Sequence, residues 1–294
     1  MKKKLTAIFL AVAAALALAS CAQGPPLQPA GEGPPVRVIS MGPSITEILV
    51  ELGAGERIVG ADEHSFDIAG LPEDIPLFMA IAPDAEQLLA AAPDLIFVMG
   101  MLRDVGEDPF RVIENAGVRI VDIPTSTSLS EIMEDIRLIA EVMGVEQAGE
   151  EIIKEMEAQI RAIRAVGEGI DHRKTVYFEL EGLPQLYSFG QGVFLNEMLE
   201  LIGAENIFAD ETGWLAVSGE AVLAANPAVI LTNAGWVEDP VGEILFRPGW
   251  EAVPAVENGA VYFVDTNASS RPSHRVIDAL WQMAGAVYPD AFGR

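Results

Sequence analysis

The sequence predicts an α/β protein of two similar lobes, each on a parallel sheet, joined by a single long helix. Three observations carry that prediction. Residues 84–98 and 218–232 are near copies: a capping residue, an early Glu, a short apolar helix, a helix-stopping Pro, then branched residues suited to a buried strand. Strand-like and helix-like patterns alternate on both sides of the middle, as in parallel sheets covered by helices. Between them, Ile152, Ile153, Met156, Ile160 and Ile163 fall on one helical face. An internal repeat constrains architecture before local detail does.

The elements follow in order. Lys2, Lys3 and Lys4 precede an apolar stretch over 5–19 that ends at Leu18-Ala19-Ser20-Cys21. It is short for a bilayer span, and residues 1–20 read as a secretory signal peptide. Residues 21–35, poor in large apolar side chains, have the composition of a flexible tether. The first lobe, 36–127, begins with a strand at 36–41. Gly42-Pro43-Ser44 turns it into a helix through Ile45, Ile48, Leu49 and Leu52 that stops at Gly53. Ser44 and Glu47 match a capping box. A strand at 58–61, a loop over 62–80, the first repeat helix, a strand at 95–99, a helix at 109–115 and a strand at 118–121 follow.

Connecting helices occupy 128–168, with a second capping box in Ser128 and Glu131 and an interruption at Gly144. The longer segment would span about 30 Å, the width of a small domain. The second lobe, 169–294, repeats the plan with strands at 175–180, 229–232 and 261–264, a helix at 194–202 and a closing helix at 273–288. Two further blocks recur in the same order, 47–54 with 197–204 and 115–122 with 258–265. Each lobe therefore reads as Rossmann-like.

The formal charge of −26 becomes −29 once the three signal lysines leave. That argues against nucleic acid and against adsorption to anionic headgroups, which both need clustered cations. Cys21 is the single cysteine, so no intrachain disulfide can form. No phosphate-binding Gly-rich loop, G-x-S-x-G elbow or close His-acid-nucleophile set appears, so the chain does not read as an enzyme. His64, His172 and His274 are scattered and do not make the His-rich cluster a bare Zn²⁺ or Mn²⁺ receptor needs.

With these residues in view, the chain resembles the substrate-binding lipoproteins of ABC importers for iron-siderophores, haem and vitamin B12, the class III periplasmic-binding proteins. The resemblance rests on Arg37-Val-Ile-Ser-Met-Gly-Pro-Ser-Ile-Thr-Glu47, on Glu86 with Pro93-Asp94, and on Gly203-Ala-Glu-Asn-Ile207. It also rests on the segment 214–227 and on Arg271-Pro-Ser-His-Arg275. It implies two lobes with the ligand in the cleft between them and small hinge motion. It further implies a monomer with no intrinsic cofactor, whose ligand is an iron chelate, cobalamin or haem, with a ferric siderophore preferred. The partners implied are an ABC permease dimer and its ATPase subunits. The tetrapeptide ending at Cys21 resembles a lipobox, which implies acylation of Cys21 and a lipid-anchored, extracytoplasmic protein.

Glu86 and Glu220 hold the same place in the two repeats. An acid in a first turn favours the helix dipole by a few tenths to about 1 kcal/mol. The resemblance adds a second role, because family members pair one such Glu on each lobe with permease arginines. Ligand contacts are expected at loops on the carboxyl ends of strands. Those loops nominate Met41, His64, Phe66, Met79, Ala80, Met101 and Arg103 from the first lobe, and Leu183, Tyr187, Phe189, Trp214, Trp236 and Arg271 from the second. His64 carries a ring nitrogen able to reach a bound iron or cobalt. Arg103 and Arg271 are nominated to hold an anionic siderophore. Relatives that bind B12 often have a Trp near the position of Ala80, and this chain departs from them there. A sensory ligand-binding lobe is the reading that the residues leave open beside transport.

Overall fold

The computed structural model describes residues 33–103 and 108–293. The signal peptide, Cys21 and most of the tether lie outside the described residues. β1 (Val38–Met41) is wholly buried and leads into α1 (Pro43–Glu51). Pro43 opens that helix, where its missing N–H is not needed. The expected capping box is absent: Gly42 is the N-cap and no side chain caps it. Starting at Pro43 turns Ser44 and Glu47 inward, and Glu47 is 3% exposed.

β2 (Ile58–Asp62), β3 (Leu77–Phe78), α2 (Ala85–Ala90), β4 (Leu95–Met99), α3 (Arg111–Asn115) and β5 (Arg119–Ile123) complete the first sheet. Its order is β3-β2-β1-β4-β5, all parallel. The connector is α4 (Leu129–Met143) and α5 (Glu146–Gly167). Ser128 caps α4 by accepting from the Glu131 N–H at 3.2 Å, and the Glu131 carboxylate accepts from the Thr127 N–H at 2.6 Å. Gly144, at φ 67°, closes α4 in the left-handed region that only glycine adopts without cost.

The second lobe contains β6 (Thr175–Glu179), β7 (Leu186–Phe189), α6 (Phe194–Leu201), β8 (Glu205–Asn206), β9 (Trp214–Val217), α7 (Gly219–Ala225) and β10 (Val229–Thr232). Then come α8 (Pro240–Leu245), α9 (Pro254–Glu257), β11 (Val261–Phe263), α10 (Thr266–Ser270), α11 (Val276–Val287) and α12 (Pro289–Phe292). Its parallel sheet has the order β11-β10-β6-β8. That order reproduces β5-β4-β1-β2 strand for strand, so the sequence repeat is a repeat of topology. β7 and β9 add an antiparallel pair that has no counterpart among the described residues of the first lobe and that sequence periodicity did not indicate.

One buried cluster runs from Val38, Leu49 and Phe97 through Ile136, Met156 and Ile163 to Phe178, Leu199 and Met283. Connector helices thus share the inner faces of both sheets. The outer faces have separate cores, around Phe110 and Ile96 in the first lobe and around Tyr177 and Trp250 in the second.

Candidate functional site

Open α/β sheets bind ligands outside the carboxyl ends of their strands, where strand order reverses. In the first sheet the reversal lies at β1, between β2 and β4; in the second it lies at β6, between β8 and β10. Loops leaving these strands expose large apolar side chains. Phe66, 73% exposed, follows β2; Met79 follows β3; Met101 lies in the turn after β4. From the second lobe, Leu183 follows β6, Trp236 follows β10, Tyr187 lies on β7 and Trp214 opens β9, all exposed. Large apolar side chains left in water on such loops are candidate ligand contacts.

Met41 and Phe189 are placed differently. Both are fully buried. Met41 belongs to the outer core of the first lobe, and Phe189 packs on Phe178 at 5.5 Å and edge-on to Trp214 at 6.2 Å between ring centroids. They present no ligand surface; Phe189 instead backs the indole of Trp214. Ala80 is buried too, and its N–H donates to Glu63 Oε2 at 2.8 Å.

The two carboxyl edges meet at a polar seam centred on Glu47. Its Oε1 accepts from Arg271 Nη1 and Arg275 Nη1, each at 3.0 Å, and its Oε2 from the Ser273 hydroxyl at 2.5 Å. Arg271 Nη2 also donates to the His64 carbonyl at 2.9 Å and to Asp67 Oδ1 at 3.0 Å. Asn267 Nδ2 donates to Asp67 Oδ2 at 2.7 Å. Burial raises the Asp67 carboxyl, but the bonds and charge of Arg271 more than reverse that and hold it below its usual range. Arg271, nominated as a ligand contact, is therefore committed to tying the lobes together and is 9% exposed.

Arg103 is likewise engaged within its own lobe. Its guanidinium donates to Asp108 at 2.6 Å, Glu114 at 3.1 Å and Asp122 at 3.2 Å. Burial acts against its charge, yet these carboxylates raise its pKa above the usual arginine value. His64 keeps an exposed ring, with Nε2 3.7 Å from Glu63 Oε1. Among the described residues no three His, Cys, Asp or Glu converge as a metal site. His64 can thus offer one nitrogen to a metal brought in by a chelate, and no protein cage surrounds it.

Glu86 and Glu220 are exposed in the first turns of α2 and α7. Asp84 caps the first by accepting from the Glu86 N–H at 2.9 Å, and Ser218 caps the second by accepting from the Ala221 N–H at 3.1 Å. Neither glutamate is drawn into these caps, so both carboxylates face solvent.

Sequence reasoning missed three features. Glu47 was read as a cap and is the centre of the seam. Nothing in the sequence marked it; in the structure its repeat partner Glu197 also bonds outside its own helix, accepting from the Leu129 N–H of the connector at 2.8 Å. Phe246 and Ile81, the most exposed large apolar residues described at 86% and 85%, were not singled out. The buried Arg247, paired with Glu179 at 2.7 Å and stacked on Trp250 at 4.4 Å, was also passed over.

Residues 38–268 match the family profile of the periplasmic binding proteins. An uncharacterized ABC transporter substrate-binding lipoprotein of Bacillus subtilis is 29% identical over 254 residues, 85% of this chain and 79% of that protein. A vitamin B12-binding protein of Vibrio cholerae is 27% identical, over 81% of this chain and 84% of that one. Among solved structures, a periplasmic haem-binding protein of Roseiflexus in apo form superposes with a TM-score of 0.75 at 27% identity, covering 88% of this chain and all of that one. Among the described residues no helix is long and apolar enough to cross a membrane.

Proposed function

The chain belongs to the periplasmic binding protein family, and on that premise we propose that it captures a metal chelate between its lobes and delivers it to an ABC importer. It is an extracytoplasmic binding protein and not an enzyme. The observation that carries the reading is the set of exposed aromatic and thioether side chains at the carboxyl ends of both sheets, beside a seam that brings those ends together. Phe66, Met79, Met101, Tyr187, Trp214 and Trp236 suit the faces of a large, partly apolar chelate or macrocycle. The ligand class is a ferric siderophore, cobalamin or haem, in line with relatives that bind B12 and haem. His64 stands ready as one axial nitrogen.

Delivery uses Glu86 and Glu220. Two equivalent carboxylates on two equivalent helix starts suit a permease dimer with twofold symmetry. Cys21 carries the lipid that keeps the protein at the membrane surface. The lobes take residues 36–127 and 169–294, with the connector at 128–168.

Titration of the purified chain with ferric siderophores, haemin and cyanocobalamin, followed by tryptophan quenching, tests this. Trp214 and Trp236 make quenching the expected signal on saturation at micromolar ligand. Failure of all three classes to quench or to bind by calorimetry would sink the metal-chelate reading.

A further inference from the structure

Four arginines stand at the carboxyl ends of the two sheets, and each is held by carboxylates of the chain itself. Arg103 is held by Asp108, Glu114 and Asp122, and Arg247 by Glu179 and Glu243. Arg271 is held by Glu47 and Asp67, and Arg275 by Glu47 and Asp265. The four cations thus face eight acids. Other cations lie elsewhere. Arg37, Arg57, Arg119 and Lys174 stand at the amino ends of strands, on the opposite edge. Arg111 is exposed on α3, which packs on the outer face of the first sheet. Among the described residues the seam and cleft loops therefore combine apolar walls with a net negative charge and no arginine left over.

From this we infer that the cleft selects electroneutral or cationic metal chelates and discriminates against polyanionic ones. The inference rests on the receptor reading above and narrows its ligand to a charge class. A polyanion such as a ferric tris-catecholate needs several cationic donors to replace its hydration. Recruiting Arg247 would leave the Glu179 carboxylate, 1% exposed, without its arginine, and recruiting Arg271 would leave Glu47, 3% exposed, with Arg275 and Ser273 alone. A buried carboxylate that loses a cationic partner is strongly unfavourable. The uncompensated acids around the opening add a field that repels anions before contact. A neutral ferric tris-hydroxamate or cyanocobalamin meets neither obstacle and loses nothing against Phe66, Met101 or Trp236.

The test is a charge series on the purified chain at physiological ionic strength. It uses a trianionic ferric tris-catecholate, a neutral and a cationic ferric tris-hydroxamate, and cyanocobalamin, each titrated by calorimetry. At least one neutral or cationic chelate is expected to bind on the order of 100-fold more tightly than the trianion, which corresponds to about 2.7 kcal/mol. Tightest binding by the trianion would overturn the inference and leave the receptor reading standing. Binding by none of the four would overturn the inference, and failure of haemin to bind as well would overturn the receptor reading with it. Asp67→Ala supplies a second readout, since it removes one acceptor of Arg271 and leaves Glu47 in place. The trianion should gain about tenfold in affinity and the neutral chelates should not change. An unchanged ratio would overturn the claim that the carboxylates withhold the arginines.

Discussion

Asp84 caps α2 in the first lobe and Ser218 caps α7 in the second, and each helix then carries an exposed glutamate in its first turn. The chain leaves both helices through a left-handed residue just before a proline, Ala92 at φ 47° and Asn226 at φ 53°. These are the two non-glycine residues with positive φ among the described residues. In front of the helices the lobes diverge. The first has a loop and the short parallel strand β3, while the second has the antiparallel pair β7–β9 with Trp214 on it. Helix start, glutamate and following strand are kept; the wall is not. That division fits a symmetric partner reading the repeated glutamates and one asymmetric ligand reading the walls.

The largest expected effect separates two glutamates that the repeat makes equivalent. Glu47→Ala leaves Arg271, Arg275 and Ser273 without their shared buried acceptor and should cost about 3–5 kcal/mol in urea denaturation. Glu197→Ala removes one bond to the connector and should cost about 1 kcal/mol. Equal losses would show that the seam is not the stronger tie.

The connector offers the next test. Asp135, 6% exposed, accepts from the Ser126 hydroxyl, yet burial pushes its carboxyl up to about 6. In the unfolded chain it titrates near its ordinary value of about 3.9. The folded state therefore binds this proton more tightly, so the group's contribution to stability rises as pH falls from about 6 to about 4. At neutral pH the buried charge costs about 2–3 kcal/mol relative to the protonated form. Asp135→Asn should flatten that part of the stability–pH curve; an unaltered slope would contradict the assignment.

Smaller effects probe the walls and the repeated turn. Trp214→Ala should weaken chelate binding about tenfold or more, roughly 1.4 kcal/mol, while leaving unfolding nearly unchanged. A large loss of stability with intact affinity would make Trp214 a packing residue of the β7–β9 pair. At the turn, Asn tolerates the left-handed region better than Ala by about 1 kcal/mol. Ala92→Asn should stabilise by up to that amount and Asn226→Ala should destabilise to match, both measured as shifts in thermal midpoint.

Much of the architecture was legible because it is local or repeated. The strand Leu95–Met99 and the break at Gly144 follow from runs of branched residues and from a glycine in the left-handed region. Parallel sheets follow from the alternation of strand and helix patterns, and the likeness of the two lobes follows from the three repeated blocks. What could not be read was pairing across long separations. Glu47 and Arg271 are 224 residues apart, and nothing near either one in sequence names the other. Without that pair, Arg271 looked free for a ligand and Glu47 looked like a cap. The β7–β9 pair was hidden for a related reason: Tyr187 and Trp214 are exposed beside buried Phe189 and Leu186, so the strands lack a clean apolar alternation. Glu86 and Glu220 stand out in the sequence only as a pair, since either alone is an ordinary first-turn acid.

The division between docking helices and ligand walls is tested most directly by reversing both glutamates, Glu86→Lys with Glu220→Lys, and measuring chelate affinity beside uptake through the reconstituted importer. The account predicts unchanged affinity and abolished uptake. Affinity that collapses along with uptake would place the two glutamates in the cleft and contradict a separate docking face.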